Sequence, residues 1–223
     1  MKKDWIKVEN FLDKDMTNLL YKHALNANKR FNFLKSFGIN VNTFGDLYGN
    51  DEDDQALGDH SCYGDLIFDT LLEEKRNEFE NITDTELVSQ YSYYRTYTNG
   101  TELERHIDRE SCEMSATFCL GYDSDYSWPI WFKDSSDNEI AVEMQPGDLV
   151  IYKGTKLEHW REPFKGNHHS QLFFHYTKKD GQYDKKFDGR PELGLPASKI
   201  LNEWITNMGN SAQVPVQVRE ISI

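Results

Sequence analysis

Apolar and polar residues alternate over short stretches through much of this chain, and that pattern predicts strands. Trp5-Ile6-Lys7-Val8 is the first. Val88 to Tyr97 alternates more strongly, with Tyr91, Tyr93, Arg95 and Tyr97 on one face and Ser92, Tyr94 and Thr96 on the other. Asn99-Gly100 marks a turn. Further strands are predicted around His106 and over Met114–Tyr122, Trp128–Phe132, Ile140–Val142, Leu149–Tyr152 and Gln171–Tyr176. Helical periodicity belongs mainly to the first third. Leu12, Met16, Leu19, Leu20, His23, Ala24 and Ala27 recur near a 3.6-residue period, which predicts a helix from about Asp13 to Asn26 capped by Asp13 or Asp15. A second is predicted from about Tyr63 to Glu80, with Leu66, Ile67, Thr70, Leu71, Lys75 and Phe79 near one face and Asp59 or Ser61 at its entrance. A last helix is expected around Pro196 to Met208, followed by a loosely held tail from Gly209.

Closely spaced strands joined by Gly, Asp and Asn turns, without alternating βαβ units, predict a mainly β fold. The expectation is a double-stranded β-helix, or jelly roll, with flanking N-terminal helices. One domain over 1–223 is expected, with helical support at 1–87, the jelly-roll core at 88–178 and an extension at 179–223. Phe31 to His60 shows no periodicity and carries the acidic run Asp51-Glu52-Asp53-Asp54. It reads either as a lid over a site or as an insertion that wraps the core.

Composition narrows the function classes. Twenty-five Lys and Arg against 38 Asp and Glu give a formal charge of −13, which opposes a nucleic-acid partner and also serves solubility. No stretch approaches the ~18 apolar residues of a membrane span, and the N-terminus lacks a signal-peptide run. Cys62, Cys112 and Cys119 form no paired motif, so a reducing, cytoplasmic setting is expected, with Cys112 and Cys119 as core residues. The Asn81 and Asn99 sequons then read as chance. No P-loop, G-x-G-x-x-G, H-E-x-x-H or G-x-S-x-G appears.

The chemistry concentrates at His106-Ile107-Asp108. Side chains two apart on an extended segment project to the same side, so this imidazole and carboxylate converge. His159, in Glu158-His159-Trp160-Arg161 after the Pro146-Gly147-Asp148 turn, is the candidate for a second imidazole. Two histidines and one carboxylate on one face of a metal suit Fe(II) and leave positions open for other ligands. Arg161 and His175 are candidates for supporting contacts, although an ordinary polar role is the simpler reading of each. His23 reads as a packed helix residue, and His60 and His168 read as surface residues.

The order of strand, His-x-Asp, further strands, Pro-Gly-Asp, distal His and final strand resembles the Fe(II)/2-oxoglutarate-dependent dioxygenases, most of all the compact prolyl 4-hydroxylase-like branch. The resemblance covers roughly Val88 to Tyr176. It implies His106, Asp108 and His159 as catalytic metal ligands, and Fe(II), 2-oxoglutarate and ascorbate as the small molecules involved. Retention of Asp108 implies hydroxylation, since halogenases of the family lose this carboxylate. Tyr97, in a Tyr-x-x-Gly setting with Gly100, would help hold the co-substrate. Family members usually carry Lys or Arg roughly ten residues past the distal histidine, to pair with the 5-carboxylate of 2-oxoglutarate. Position 169 is His here, so either His169 or Arg95, on the face of Tyr97, is expected to take that role. The implied activity is hydroxylation of a peptidyl proline, with decarboxylation of 2-oxoglutarate to succinate and CO2. Two alternatives stay open: the same chemistry on a small molecule or free amino acid, and a non-catalytic, cupin-like metal-binding domain. No membrane partner is implied, and the oligomeric state is not legible.

Overall fold

A computed structural model describes residues 1, 3–41 and 47–209. Among the described residues, ten strands form two antiparallel sheets. The larger sheet has the order β1-β8-β5-β10-β3-β2, built from β1 (Trp5–Val8), β2 (His60–Tyr63), β3 (Leu87–Thr98), β5 (Met114–Asp123), β8 (Leu149–Tyr152) and β10 (His168–Lys178). The smaller has the order β4-β9-β6-β7, from β4 (Leu103–His106), β6 (Ile130–Lys133), β7 (Glu139–Val142) and β9 (His159–Arg161). This is the expected mainly β jelly roll with helices beside it.

The larger sheet is covered on both faces, which is why its central strands are buried almost end to end. On its outer face Tyr94, Ala116, Phe118, Leu172, Phe174 and Tyr176 pack against Leu20, Ala24 and Ala27 of α1 (Lys14–Ser36) and against Phe68, Leu72 and Phe79 of α2 (Leu66–Thr83). On its inner face Cys119, Val150 and Tyr152 meet Ile130, Phe132 and Val142 of the smaller sheet. Pleat alternation thus gives each central strand a helix-facing set and an interior-facing set. Tyr91, Tyr93, Arg95 and Tyr97 form part of the interior set.

Several boundaries differ from the sequence expectation. α1 continues ten residues past Asn26, to Ser36, because Phe31 extends the buried Leu20, Ala24, Ala27 stripe by one more turn. Asp13 is its N-cap, accepting from the Met16 amide at 2.8 Å. His60 to Tyr63 is a strand, so α2 starts at Leu66 with Asp65 as N-cap. The expected entrance at Asp59 or Ser61 is therefore corrected. Asp59 instead fixes the turn after β3, accepting from Thr98 Oγ1 at 2.6 Å and Thr101 Oγ1 at 2.7 Å. His60 is 3 % exposed and not a surface residue, its ring lying 4.9 Å from that of Phe31. His168 is half-buried and bonded to the Tyr21 hydroxyl at 2.6 Å.

α3 (Ser198–Gly209) agrees with the expected last helix. The tail expected beyond it lies outside the described residues. Ahead of it, the extension is anchored by Arg190, whose Nη1 donates to Asp69 Oδ2 at 2.8 Å in a pair with no exposure. Among the described residues, no helix is long and apolar enough to cross a membrane.

Candidate metal centre

The antiparallel register of β4 and β9 sets His106 directly opposite His159. Directly opposed strand residues are close neighbours, and these two rings lie 4.2 Å apart between centroids. Past His106 the alternation continues for two residues. Ile107 points outward, 56 % exposed, and Asp108 turns back in, its amide donating to Gly154 O at 2.9 Å. Asp108 Oδ1 consequently lies 3.7 Å from His106 Nε2 and 3.5 Å from His159 Nε2. One donor atom from each of the three residues falls within 4.8 Å of the others.

Local contacts aim all three groups. His106 Nδ1 donates to Glu104 O at 2.8 Å, and His159 Nδ1 donates to Leu157 O at 2.9 Å. A carbonyl only accepts, so each Nδ1 carries a proton, and Nε2 is the ring nitrogen left to face the common point. Burial pushes the His159 pKa down, with Asp108 only partly opposing it, which favours the neutral imidazole that ligation needs. Ser115 Oγ donates to Asp108 Oδ2 at 2.6 Å, leaving Oδ1 for the common point. Ser115 is held in turn by His175 Nδ1 at 3.0 Å, and burial pushes His175 down to about 4. Gly154 closes the arrangement from behind. A Cβ there would stand 2.3 Å from Asp108 Oδ2 and 2.4 Å from Ser115 Oγ.

Two imidazoles and one carboxylate on the same wall make a facial donor set that fits Fe(II). A second convergence, of Asp108, Cys112 and His175, shares the same carboxylate. Burial raises the Cys112 thiol to about 12, which keeps it protonated and a poor ligand.

The three donors form part of the wall of a cavity of about 470 Å³ between the sheets. The lining also includes Tyr91, Tyr93, Arg95, Tyr97 and Phe173, with Tyr152 beside the donors, its hydroxyl 3.5 Å from His159 Nε2. Arg95 Nη2 donates to Asp53 Oδ2 at 2.5 Å and to the Tyr93 hydroxyl at 2.8 Å. Asp53 thereby carries the acidic run of the irregular segment to the cavity. Tyr97 is buried with its ring 5.0 Å from Trp128, edge to face. His169 does not line the cavity. It is stacked 5.4 Å from Tyr122, and burial together with the nearby Arg161 guanidinium holds it well below its ordinary pKa, uncharged. The structure thus brings His106, Asp108, His159, Tyr97 and Arg95 to one cavity and leaves His169 outside it. The roles of Ser115 and Gly154 were missed in the sequence, since neither forms part of a spacing pattern. Tyr91 and Tyr93 could have been read from their alternation with Arg95.

Comparison with solved structures places this architecture. The prolyl-4-hydroxylase of Pseudomonas putida superposes with a TM-score of 0.60 at 15 % identity, over 80 % of this chain and 94 % of that one. The jelly-roll fold is shared with this structure and with two others. EctD from S. alaskensis, solved with bound Fe, gives 0.58 at 13 % identity over 83 % of this chain and 76 % of its own. The non-heme alpha ketoglutarate dependent carbocyclase SnoK of nogalamycin biosynthesis gives 0.58 at 12 % identity over 88 % and 90 %. No protein-family model and no curated protein matches the chain.

Proposed function

We propose that the protein is a non-haem Fe(II)- and 2-oxoglutarate-dependent dioxygenase that hydroxylates its substrate while 2-oxoglutarate is decarboxylated to succinate and CO2. The observation that carries this reading is the convergence of the His106, Asp108 and His159 donors on one wall of an interior cavity. Fe(II) bound there would activate O2, the four-electron oxidant, with the keto acid giving two electrons as it is decarboxylated, so that one oxygen atom enters succinate and the other a substrate C–H bond. The chain's own part is placement. His106 and His159 present their Nε2 atoms, Ser115 and Gly154 hold Asp108 in one orientation, and the buried interior-facing residues of β3 and β10 keep water from the far wall. Neighbours known with Fe and 2-oxoglutarate support both small molecules; none supports ascorbate.

For the substrate we propose a peptidyl proline. Tyr63, Tyr91, Tyr93 and Phe173 give the cavity an aromatic wall, with Tyr63 and Tyr91 stacked at 4.6 Å. Aromatic-lined grooves suit extended, proline-containing chains. A second reading, hydroxylation of a small molecule, is favoured by the cavity volume of about 470 Å³, which lies in the range that encloses such ligands. The test is succinate formation by the purified protein with Fe(II), 2-oxoglutarate and O2, alone and with proline-containing peptides. Stimulation by a peptide, with a mass gain of one oxygen on proline, supports the first reading. Stimulation by free amino acids but by no peptide supports the second. Absence of Fe(II)-dependent succinate under all conditions overturns the enzyme assignment.

A further inference from the structure

Among the described residues, two grooves adjoin the metal cavity, and their rims carry opposite charge. One, of about 680 Å³, shares Gln55 and His106 with the cavity and runs between residues 54–57 and 98–105. The other, of about 450 Å³, shares Tyr63, Tyr93 and Arg109 with it and passes Lys185 and Lys199 of the C-terminal extension. No residue lines both grooves. The stretch from His106 to Arg109 meets one groove at each of its ends, with the Asp108 donor between them.

The first groove is acidic. Asp54, Glu102 and Glu104 line it and are exposed, and among the described residues none of the three is in an ion pair. Its one arginine, Arg105, is already engaged, lying 3.6 Å over the Trp160 ring and paired with Glu139 at 2.6 Å. The second groove is basic. Lys185 and Lys199 are exposed, and among the described residues neither has an acidic partner. Its one carboxylate, Asp188, accepts from Arg109 at 3.0 and 2.7 Å and from the Tyr63 and Tyr183 hydroxyls at 2.9 and 2.7 Å. A basic rim on a chain of net charge −13 runs against the composition, so the two rims differ by placement.

Unpaired charges of opposite sign at the two rims attract a ligand long enough to meet both and charged to match each. A small molecule enclosed in the cavity reaches neither rim. An extended chain advances about 3.3 Å per residue, so a few residues on each side of the one at the metal reach both. Tyr63 and Tyr93, where the basic groove joins the cavity, offer apolar surface for the chain between.

We propose that the substrate is a polypeptide segment of mixed charge bound across the cavity. Basic side chains on one side of the hydroxylated residue occupy the groove of Asp54, Glu102 and Glu104. Acidic side chains on its other side occupy the groove of Lys185 and Lys199. The proposal rests on the peptidyl reading of the site given above and adds the charge pattern of the sequence around the target.

Four peptides with one central proline test it, identical except for charges placed about two to four residues away. They carry Lys before and Glu after, Glu before and Lys after, Lys on both sides, or Glu on both sides. Binding is read by fluorescence anisotropy on anaerobic protein holding Fe(II) and 2-oxoglutarate, and succinate is measured separately after O2 is admitted. One of the two mixed orders is expected to bind roughly 3- to 10-fold tighter than its reverse, the sum of a few exposed pairs, with the gap closing as salt is raised. Reversing one rim moves the preference in a set direction. Glu102→Lys with Glu104→Lys makes the peptide with Glu on both sides the tightest, and Lys185→Glu with Lys199→Glu does the same for Lys on both sides. All four positions are exposed, so these variants keep the fold. Equal affinity for the four peptides, binding of none, or a preference that neither double variant moves overturns the proposal. So does a wild-type preference for Lys on both sides, which net charge alone would give. Binding with the expected polarity but no Fe(II)-dependent succinate from any peptide overturns the hydroxylase reading and leaves the two grooves as assigned.

Discussion

The two ends of the barrel interior are built on different terms. At the metal end every ligand is oriented by a nearby partner. Glu104 O and Leu157 O fix the two imidazoles, and Ser115 fixes the carboxylate. At the deep end Arg161 has no acid, and both Arg161 Nε and His169 Nδ1 lack partners. The first end is organised without a ligand. The second holds a buried charge among neutral partners. The comparison sets a donor site whose three groups are each held by a neighbour against a buried guanidinium held by neutral partners alone.

That contrast is open to direct attack, beginning with the largest effect. Asp108→Ala removes the only acid among the three converging donors, and Fe(II)-dependent succinate formation is expected to fall to background with Fe(II) affinity lost in parallel. His106→Ala should behave likewise, and near-normal turnover in either would show that the donor set is misassigned. Gly154→Ala comes next. Its Cβ would collide with Asp108, Ser115 and the Cys112 carbonyl, so unfolding in urea should show roughly 1–3 kcal/mol of lost stability along with weakened metal binding. Ser115→Ala leaves the fold intact but frees Asp108 to turn, and a loss of about 10–100-fold in Fe(II) affinity is expected from metal titration.

The smallest effect at neutral pH concerns His175, which burial holds at about 4, below its ordinary 6.5. The unfolded chain therefore takes up a proton on His175 as pH falls below about 6.5 while the folded chain does not, until about pH 4. Folded stability is thus full above 6.5 and is lost through that window. His159 and His169 are depressed by burial as well and act in the same direction. Urea midpoints measured from pH 7.5 down to 4.5 should fall, and the fall should be shallower in His175→Gln; identical slopes would contradict the burial argument.

The same division governs what the sequence disclosed. His106 and Asp108 were legible because a two-residue spacing on extended chain is a local rule, and the structure keeps that alternation through the exposed Ile107. The β3 face of Tyr91, Tyr93, Arg95 and Tyr97 was legible for the same reason. β2 was not, because His60 to Tyr63 is four residues long and buried on both faces, with no alternation to read. The extra turns of α1 were hidden because Phe33 and Phe37 are exposed, 62 % and 71 %, and blur the stripe that Phe31 continues. Arg161 read as an ordinary polar residue, because lacking an acid partner is a property of the folded interior and leaves no trace in spacing. The same holds for His169, whose charge is suppressed by burial and by a guanidinium eight positions away in the chain.

The central claim is that His106, Asp108 and His159 hold one metal and leave open positions for a chelating keto acid. Its most direct test is the anaerobic visible spectrum of the protein with Fe(II) and 2-oxoglutarate. The account predicts the charge-transfer band of an iron–keto-acid chelate in the wild type, at one equivalent of Fe(II), and its disappearance in Asp108→Ala. A band that survives this substitution, or Fe(II) bound at one equivalent with no band on adding 2-oxoglutarate, would contradict it.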